Sequence, residues 1–253
     1  MTTAELDTWF SHLLKPEDFE THDPSQNGLQ VDNDGSNISR IAYAVDACVA
    51  TIERAAQAGA GMLFVHHGLF WRDPLRLVGS HYRRIKLLLD ANIALYASHL
   101  PLDAHPEAGN NSGLASRIGL KNLQHFGEWN GCFIGYKGEF PEAKSLDEIL
   151  LALFPDGKKP LHVLPFGPKE IRTAGIISGG ASDEVYQAIE QKLDIYITGE
   201  ISHEIYHAAQ ENNIHVIAGG HYQTETVGIR LVSEQLSRET GMETVFIDVP
   251  TGL

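Results

Sequence analysis

With 253 residues, 43% hydrophobic and 21% charged, the chain has enough apolar material for a large core, and two modest domains sharing that length are expected. A formal net charge of −14 argues against a nucleic-acid backbone as partner, because such binding draws on clustered Lys and Arg. No apolar run approaches the roughly 20 residues of a membrane helix, Cys48 and Cys132 form no CxxC pair, and the amino terminus lacks an apolar signal core, so a cytoplasmic protein is expected.

In chain order, Thr2 with Glu5 spells a helix capping box, and Asn27-Gly28 within Asp23–Val31 reads as a turn. Ile38–Val45 has the composition of a strand, Val49–Ala58 has helical spacing with Gly59 as its stop, and Gly61–Val65 is the next strand, which makes a βαβ unit. A helix through Tyr82–Leu89, whose basic residues read as a solvated face, and a strand at Ile93–Ala97 continue the alternation. Gly131–Phe140 and Leu161–Phe166 are more β-rich and flank a short helix at Ser145–Leu153.

The second half repeats the theme: strand Thr173–Ile177, turn Gly179-Gly180, helix Asp183–Lys192, strand Asp194–Thr198, helix His203–Glu211 and strand Ile214–Ala218. The pattern predicts an α/β fold of two interlinked lobes with mostly parallel sheets and a metal site in the cleft at the strand C-terminal ends. The expected lobes are 1–125 with 219–253, carrying the metal ligands, and 126–218. Gly179-Gly180 could cradle a phosphate, but neither GxGxxG nor a Walker lysine accompanies it.

Side chains that reach a ligand gather beyond the carboxyl ends of parallel strands, and three such ends here carry metal-binding chemistry. His66 and His67 close one strand, Asp103 follows His99 after another, and a third leads through Gly219-Gly220 to His221 and Glu225. Imidazoles mixed with carboxylates suit borderline divalent ions such as zinc, manganese, iron or cobalt. Consecutive residues point to opposite faces inside a strand, yet at its fraying end His66 and His67 can splay toward two adjacent ions. If Thr224 opens a long helix through Ser237, Glu225 lies in its first turn, where a carboxylate can bridge two ions. Two divalent cations against Asp103 and Glu225 leave net positive charge, which would attract a small anion. His203-Glu204-Ile205-Tyr206-His207 also matches the HExxH pattern of zinc peptidases, but the buried strand that follows does not supply the second helix of that arrangement.

Three segments, His66-His67-Gly68-Leu69-Phe70-Trp71, Ser98-His99-Leu100-Pro101-Leu102-Asp103 and Ala218-Gly219-Gly220-His221-Tyr222-Gln223-Thr224-Glu225, resemble in order and spacing the Nif-three-like dinuclear-metal family, known as GTP cyclohydrolase 1 type 2 homologues. Asn27-Gly28-Leu29-Gln30-Val31 is similar too, and the likeness spans nearly the whole chain. The resemblance implies that His66, His67, Asp103, His221 and Glu225 hold two divalent ions per subunit, with Glu225 bridging, in a toroidal homohexamer whose sites face an interior cavity. Where family members often have His-Thr-Asn, this chain has His99-Leu100-Pro101, which alters residues near the substrate and leaves the ligands intact.

A metal-dependent hydrolase acting on a small anionic, possibly nucleotide, substrate is therefore expected, with Glu225 bridging the ions and His99 carrying a proton. A non-catalytic, metal-dependent assembly or adaptor protein is the alternative from another class, and an HExxH peptidase a minor one. No membrane partner is expected.

Overall fold

The computed structural model describes residues 1–253, which form two compact units: Met1–Leu102 with Gly228–Pro250, and Asp103–Val227 with Thr251–Leu253. The strands, in chain order, are β1 (Gly28–Val31), β2 (Arg40–Asp46), β3 (Met62–His67), β4 (Ala94–Ala97), β5 (Lys121–Trp129), β6 (Cys132–Lys144), β7 (His162–Pro165), β8 (Ile171–Ile177), β9 (Ile195–Thr198), β10 (His215–Ala218) and β11 (Glu243–Phe246). The α-helices are α1 (Thr3–Leu14), α2 (Val49–Gln57), α3 (Gly79–Asp90), α4 (Leu100–Ala104), α5 (Asn110–Ile118), α6 (Leu146–Leu153), α7 (Val185–Glu190), α8 (Ile205–Glu211) and α9 (His221–Thr240).

The first unit is built on a five-stranded sheet in the order β1-β4-β3-β2-β11, parallel except for the edge strand β1. Its central strands are buried on both faces, which is why they read as continuous apolar runs. On one face Tyr43, Phe64 and Tyr96 are register partners across three strands, and Phe10 of α1 lies 4.8 Å and 4.7 Å from the Phe64 and Tyr96 ring centroids. On the other, Ala42, Ala44, Leu63, Val65 and Leu95 pack with Ile52 and Ala55 of α2 and Leu88 of α3. The Thr2 and Glu5 capping box opens α1, and Gly59 in the left-handed region follows α2.

The second unit holds a six-stranded sheet, β5-β6-β8-β9-β10-β7. Its centre, β8-β9-β10, is parallel, with α7 and α8 as crossovers, and antiparallel pairs flank it on both sides. The α/β reading with two sheets is therefore met.

The unit seams differ from the expected ones, falling after Leu102 and Val227 instead of after residues 125 and 218. Hydrogen bonds explain the first shift: in α5 the Asn111 amide donates to the Ile134 carbonyl at 2.7 Å and accepts from the Ser178 amide at 2.7 Å, which ties that helix to the second sheet. Asp103, His221 and Glu225 accordingly belong to the second unit, and His66 and His67 to the first. No helix is long and apolar enough to cross a membrane.

Candidate metal centre

In the first unit the site grows from strand register. Asp46 and His67 are partners at the ends of β2 and β3, so the Asp46 carboxylate accepts the His67 Nδ1–H at 2.8 Å. Val65 and Ala97 pair one step earlier on β3 and β4, which brings Ser98 level with His66, and the Ser98 carbonyl accepts the His66 Nδ1–H at 2.9 Å. His66 is fully buried. The two rings lie 4.7 Å apart between centroids, so both serve the same region. Gly68 must be glycine, since a Cβ there would meet the Gln30 amide and the Ala97 side chain. The Gln30 carbonyl oxygen accepts the Leu69 amide at 2.7 Å and thereby pins the segment that leaves the histidine pair.

His99 stands just past β4, its ring 5.0 Å from that of His66 and 5.8 Å from that of His67. Its Nδ1–H is accepted by Asp23 at 2.8 Å and its main-chain N–H by the Asn27 side chain at 2.7 Å. The Asp23 side chain is wholly buried, and it also accepts from the amides of Ser25 and Leu100 and from the Asn27 side chain. Burial alone would raise its pKa. The hydrogen bond and charge of His99, with the bonds from Asn27 and Ser25, outweigh that and hold the carboxyl below its usual range. Asn27 thus anchors His99, a role beyond the plain turn expected of it. The ligand nitrogens of His66, His67 and His99 lie within 4.8 Å of one another and could hold a metal ion.

In the second unit, Asp103 sits in α4 and is buried, its Oδ1 accepting the Asn110 amide at 2.8 Å and the Ser178 hydroxyl at 2.9 Å. Helix α9 begins at His221, not at Thr224, because the Gly219-Gly220 turn ends there and Thr224 Oγ1 donates back to the Gly220 carbonyl at 2.9 Å. His221 and Glu225 consequently share a helix face, with Nε2 and Oε1 3.0 Å apart, while Glu200 accepts from His221 Nδ1 at 2.5 Å. Burial pulls the His221 pKa down, but Glu225 and then Glu200 overcome it and raise the value to about 9. Gly179 has a φ of +67°, and a Cβ there would collide with Glu225 Oε1. Its amide donates to Thr224 Oγ1 at 3.0 Å, so this turn serves close approach to Glu225 and not the phosphate cradle considered above.

The donor set fits a divalent ion. Ligands about 2.1 Å from one ion stand roughly 3.0–3.4 Å apart, and the hydrogen-bonded pair His221 Nε2 and Glu225 Oε1, at 3.0 Å, has a separation that an ion replacing the proton could use. Each histidine of the two clusters commits Nδ1 to a carbonyl or carboxylate, which leaves Nε2 as the nitrogen that could face a metal, an arrangement found around protein metal ligands. The carboxylates that do this, Asp23, Asp46 and Glu200, escaped the sequence reading. The HExxH segment is not a metal site: α8 begins at Ile205, so His203 and Glu204 precede it, and with His207 they are exposed.

The profile of the family described as Duf34/NIF3 (NGG1p interacting factor 3) matches residues 1–252. A GTP cyclohydrolase 1 type 2 homolog of Treponema pallidum is 46% identical with all of both chains covered, and one from Pyrococcus abyssi is 43% identical over 91% of this chain and 92% of that one. Among solved structures, the protein ybgI, of unknown function, superposes with a TM-score of 0.91 at 33% identity over the full length of both chains. TTHA1606 from Thermus thermophilus gives 0.88 at 36%, again over both full chains, and reduced HcgD from Methanocaldococcus jannaschii 0.84 at 28%, covering 98% of each.

Proposed function

This chain belongs to the Duf34/NIF3 family, and from that premise we propose that it is a metal-dependent hydrolase holding two divalent ions per subunit through His66, His67, Asp103, His221 and Glu225. The observation that supports the reading is the anchoring of His66, His67 and His221 through Nδ1, which fixes their ring orientation and leaves Nε2 as the side that a cation would take. Zinc, iron, manganese and cobalt all suit this ligand mixture. Bound ions would supply Lewis-acid polarisation of a substrate oxygen and lower the pKa of water toward about 7.

The chain's own residues do the positioning. Asp103 is held by Asn110 and Ser178, and Glu225 is packed beneath Gly179, so both carboxylates enter the site with little freedom left to lose. Among the direct ligands Asp103 and Glu225 offset half the charge of two divalent cations, which favours a small anion in contact with the ions themselves, while Asp23, Asp46 and Glu200 behind the imidazoles add negative charge further out. The name of the relatives makes a guanine nucleotide the first substrate to try. We further propose a homohexameric ring in the cytoplasm, on the strength of the family resemblance.

Metal analysis of the purified protein after reconstitution, followed by a screen of GTP, other nucleotides, phosphoesters and cyclic amides, tests the proposal. Two ions and turnover that Glu225→Gln abolishes are expected. No bound ion would overturn the site, and two ions with an inert panel would overturn the hydrolase. The second reading is a metal-dependent assembly protein, favoured by the family description, which names an interacting factor and no reaction. It predicts metal-dependent partner binding without turnover.

A further inference from the structure

We infer that His99 is itself a metal ligand, completing a three-histidine face with His66 and His67, and that Asp23 is the residue that positions it. The inference rests on the metal-binding reading above and adds to it a sixth ligand and that ligand's anchor, in place of the proton-carrying role expected from the sequence.

Strand register makes the first argument. Val65 and Ala97 are parallel partners on β3 and β4, so two residues further on His67 and His99 stand level, with Ser98 level with His66 between them. Asp46, the partner of His67 on β2, extends the same row. Neighbouring strands run about 4.8 Å apart, and the His67 and His99 rings keep that proximity past the end of the ladder, at 5.8 Å between centroids.

Anchoring makes the second. His99 is held as His67 is, with Nδ1 on a carboxylate at 2.8 Å in both cases. Asp23 accepts from four groups: the His99 ring, the Asn27 side chain and the Ser25 and Leu100 amides. A carboxylate so fully committed in a buried place has no capacity left for substrate, and its consequence is the fixed orientation of one imidazole. A second hold on the same residue comes from the main-chain N–H of His99 on Asn27. What sets His99 apart from a lone proton carrier is its company, since its ligand nitrogen lies within 4.8 Å of those of His66 and His67.

The test uses the full chain loaded with Cu2+ at one equivalent per subunit and reads the number of coordinated nitrogens by electron paramagnetic resonance. Zinc affinity is measured in parallel by chelator competition. His99→Ala and His99→Gln are each expected to remove one nitrogen and to weaken the tighter zinc site at least 100-fold. Asp23→Asn should keep the nitrogen count and weaken zinc about 10- to 100-fold, the usual effect of losing a carboxylate behind a ligand histidine. Thermal melts identify any variant that fails to fold, and the histidine pair gives two chances at an intact one. Wild-type nitrogen count and affinity in a folded His99 variant, together with loss of both in His66→Ala or His67→Ala, would overturn this inference and leave the metal reading standing. A wild-type chain that binds no ion would overturn both.

Discussion

Asp46 and His67 face each other at the ends of adjacent parallel strands, and the carboxylate takes the imidazole Nδ1–H at 2.8 Å. Backbone pairing therefore sets the orientation of a candidate ligand ring. Asp46→Asn keeps the shape and removes the charge-assisted bond, so zinc affinity should fall about 10- to 100-fold while the fold persists. Chelator competition alongside a thermal melt checks it. An unchanged affinity would show that the strand end alone orients His67.

Gly179→Ala should both destabilise the protein and lower metal occupancy. The residue occupies the left-handed region and a Cβ would collide with Glu225 Oε1, so a cost of about 1–3 kcal/mol is expected. Gly157→Ala is the comparison, because its φ is also positive at +77° but nothing lies within 4 Å of the added carbon. That variant should lose stability from backbone strain alone and keep its metal, as denaturant titration and metal analysis will show.

Phe64→Ala removes the ring packed against Phe10, Tyr43 and Tyr96 at the centre of the first unit. A loss of about 3–5 kcal/mol is expected. Urea denaturation followed by circular dichroism measures it.

Saturating zinc should raise stability by mass action, about 2.7 kcal/mol at a free concentration 100 times the dissociation constant. A chelator should remove that increment and leave secondary structure intact. Calorimetry with and without chelator, at matched protein concentration, measures it. An increment that survives in Glu225→Gln would point to ions bound elsewhere.

Ser145→Ala deletes the side chain that accepts the Glu148 amide at the start of α6. About 1 kcal/mol should be lost, with no change in metal content.

Much of the fold could be read from residues. The strands β2, β3, β4, β8, β9 and β10 are short apolar runs, and the candidate ligands follow where β3, β4 and β10 end. β5 escaped because its first half, Lys121–His125, is exposed and carries no alternation, and β11 because four residues of an edge strand give too short a pattern. Helix α5 is hidden by polarity: Asn110, Asn111 and Ser112 are buried in it, each spending its side chain on a hydrogen bond. Asp23, Asp46 and Glu200 were illegible for another reason. Each meets its histidine across 76, 21 and 21 residues of chain, and no local pattern marks a carboxylate whose partner is chosen by tertiary packing.

Anchoring the imidazoles through protein groups separates two events that small zinc domains combine. In a zinc finger the ion organises its ligands, and folding waits for it. Here the rotamers of His66, His67 and His99 are set by hydrogen bonds to Ser98, Asp46 and Asp23, groups of the protein itself. Under the proposed function an ion would therefore meet a finished scaffold, and the chain would keep one fold with the ion and without it.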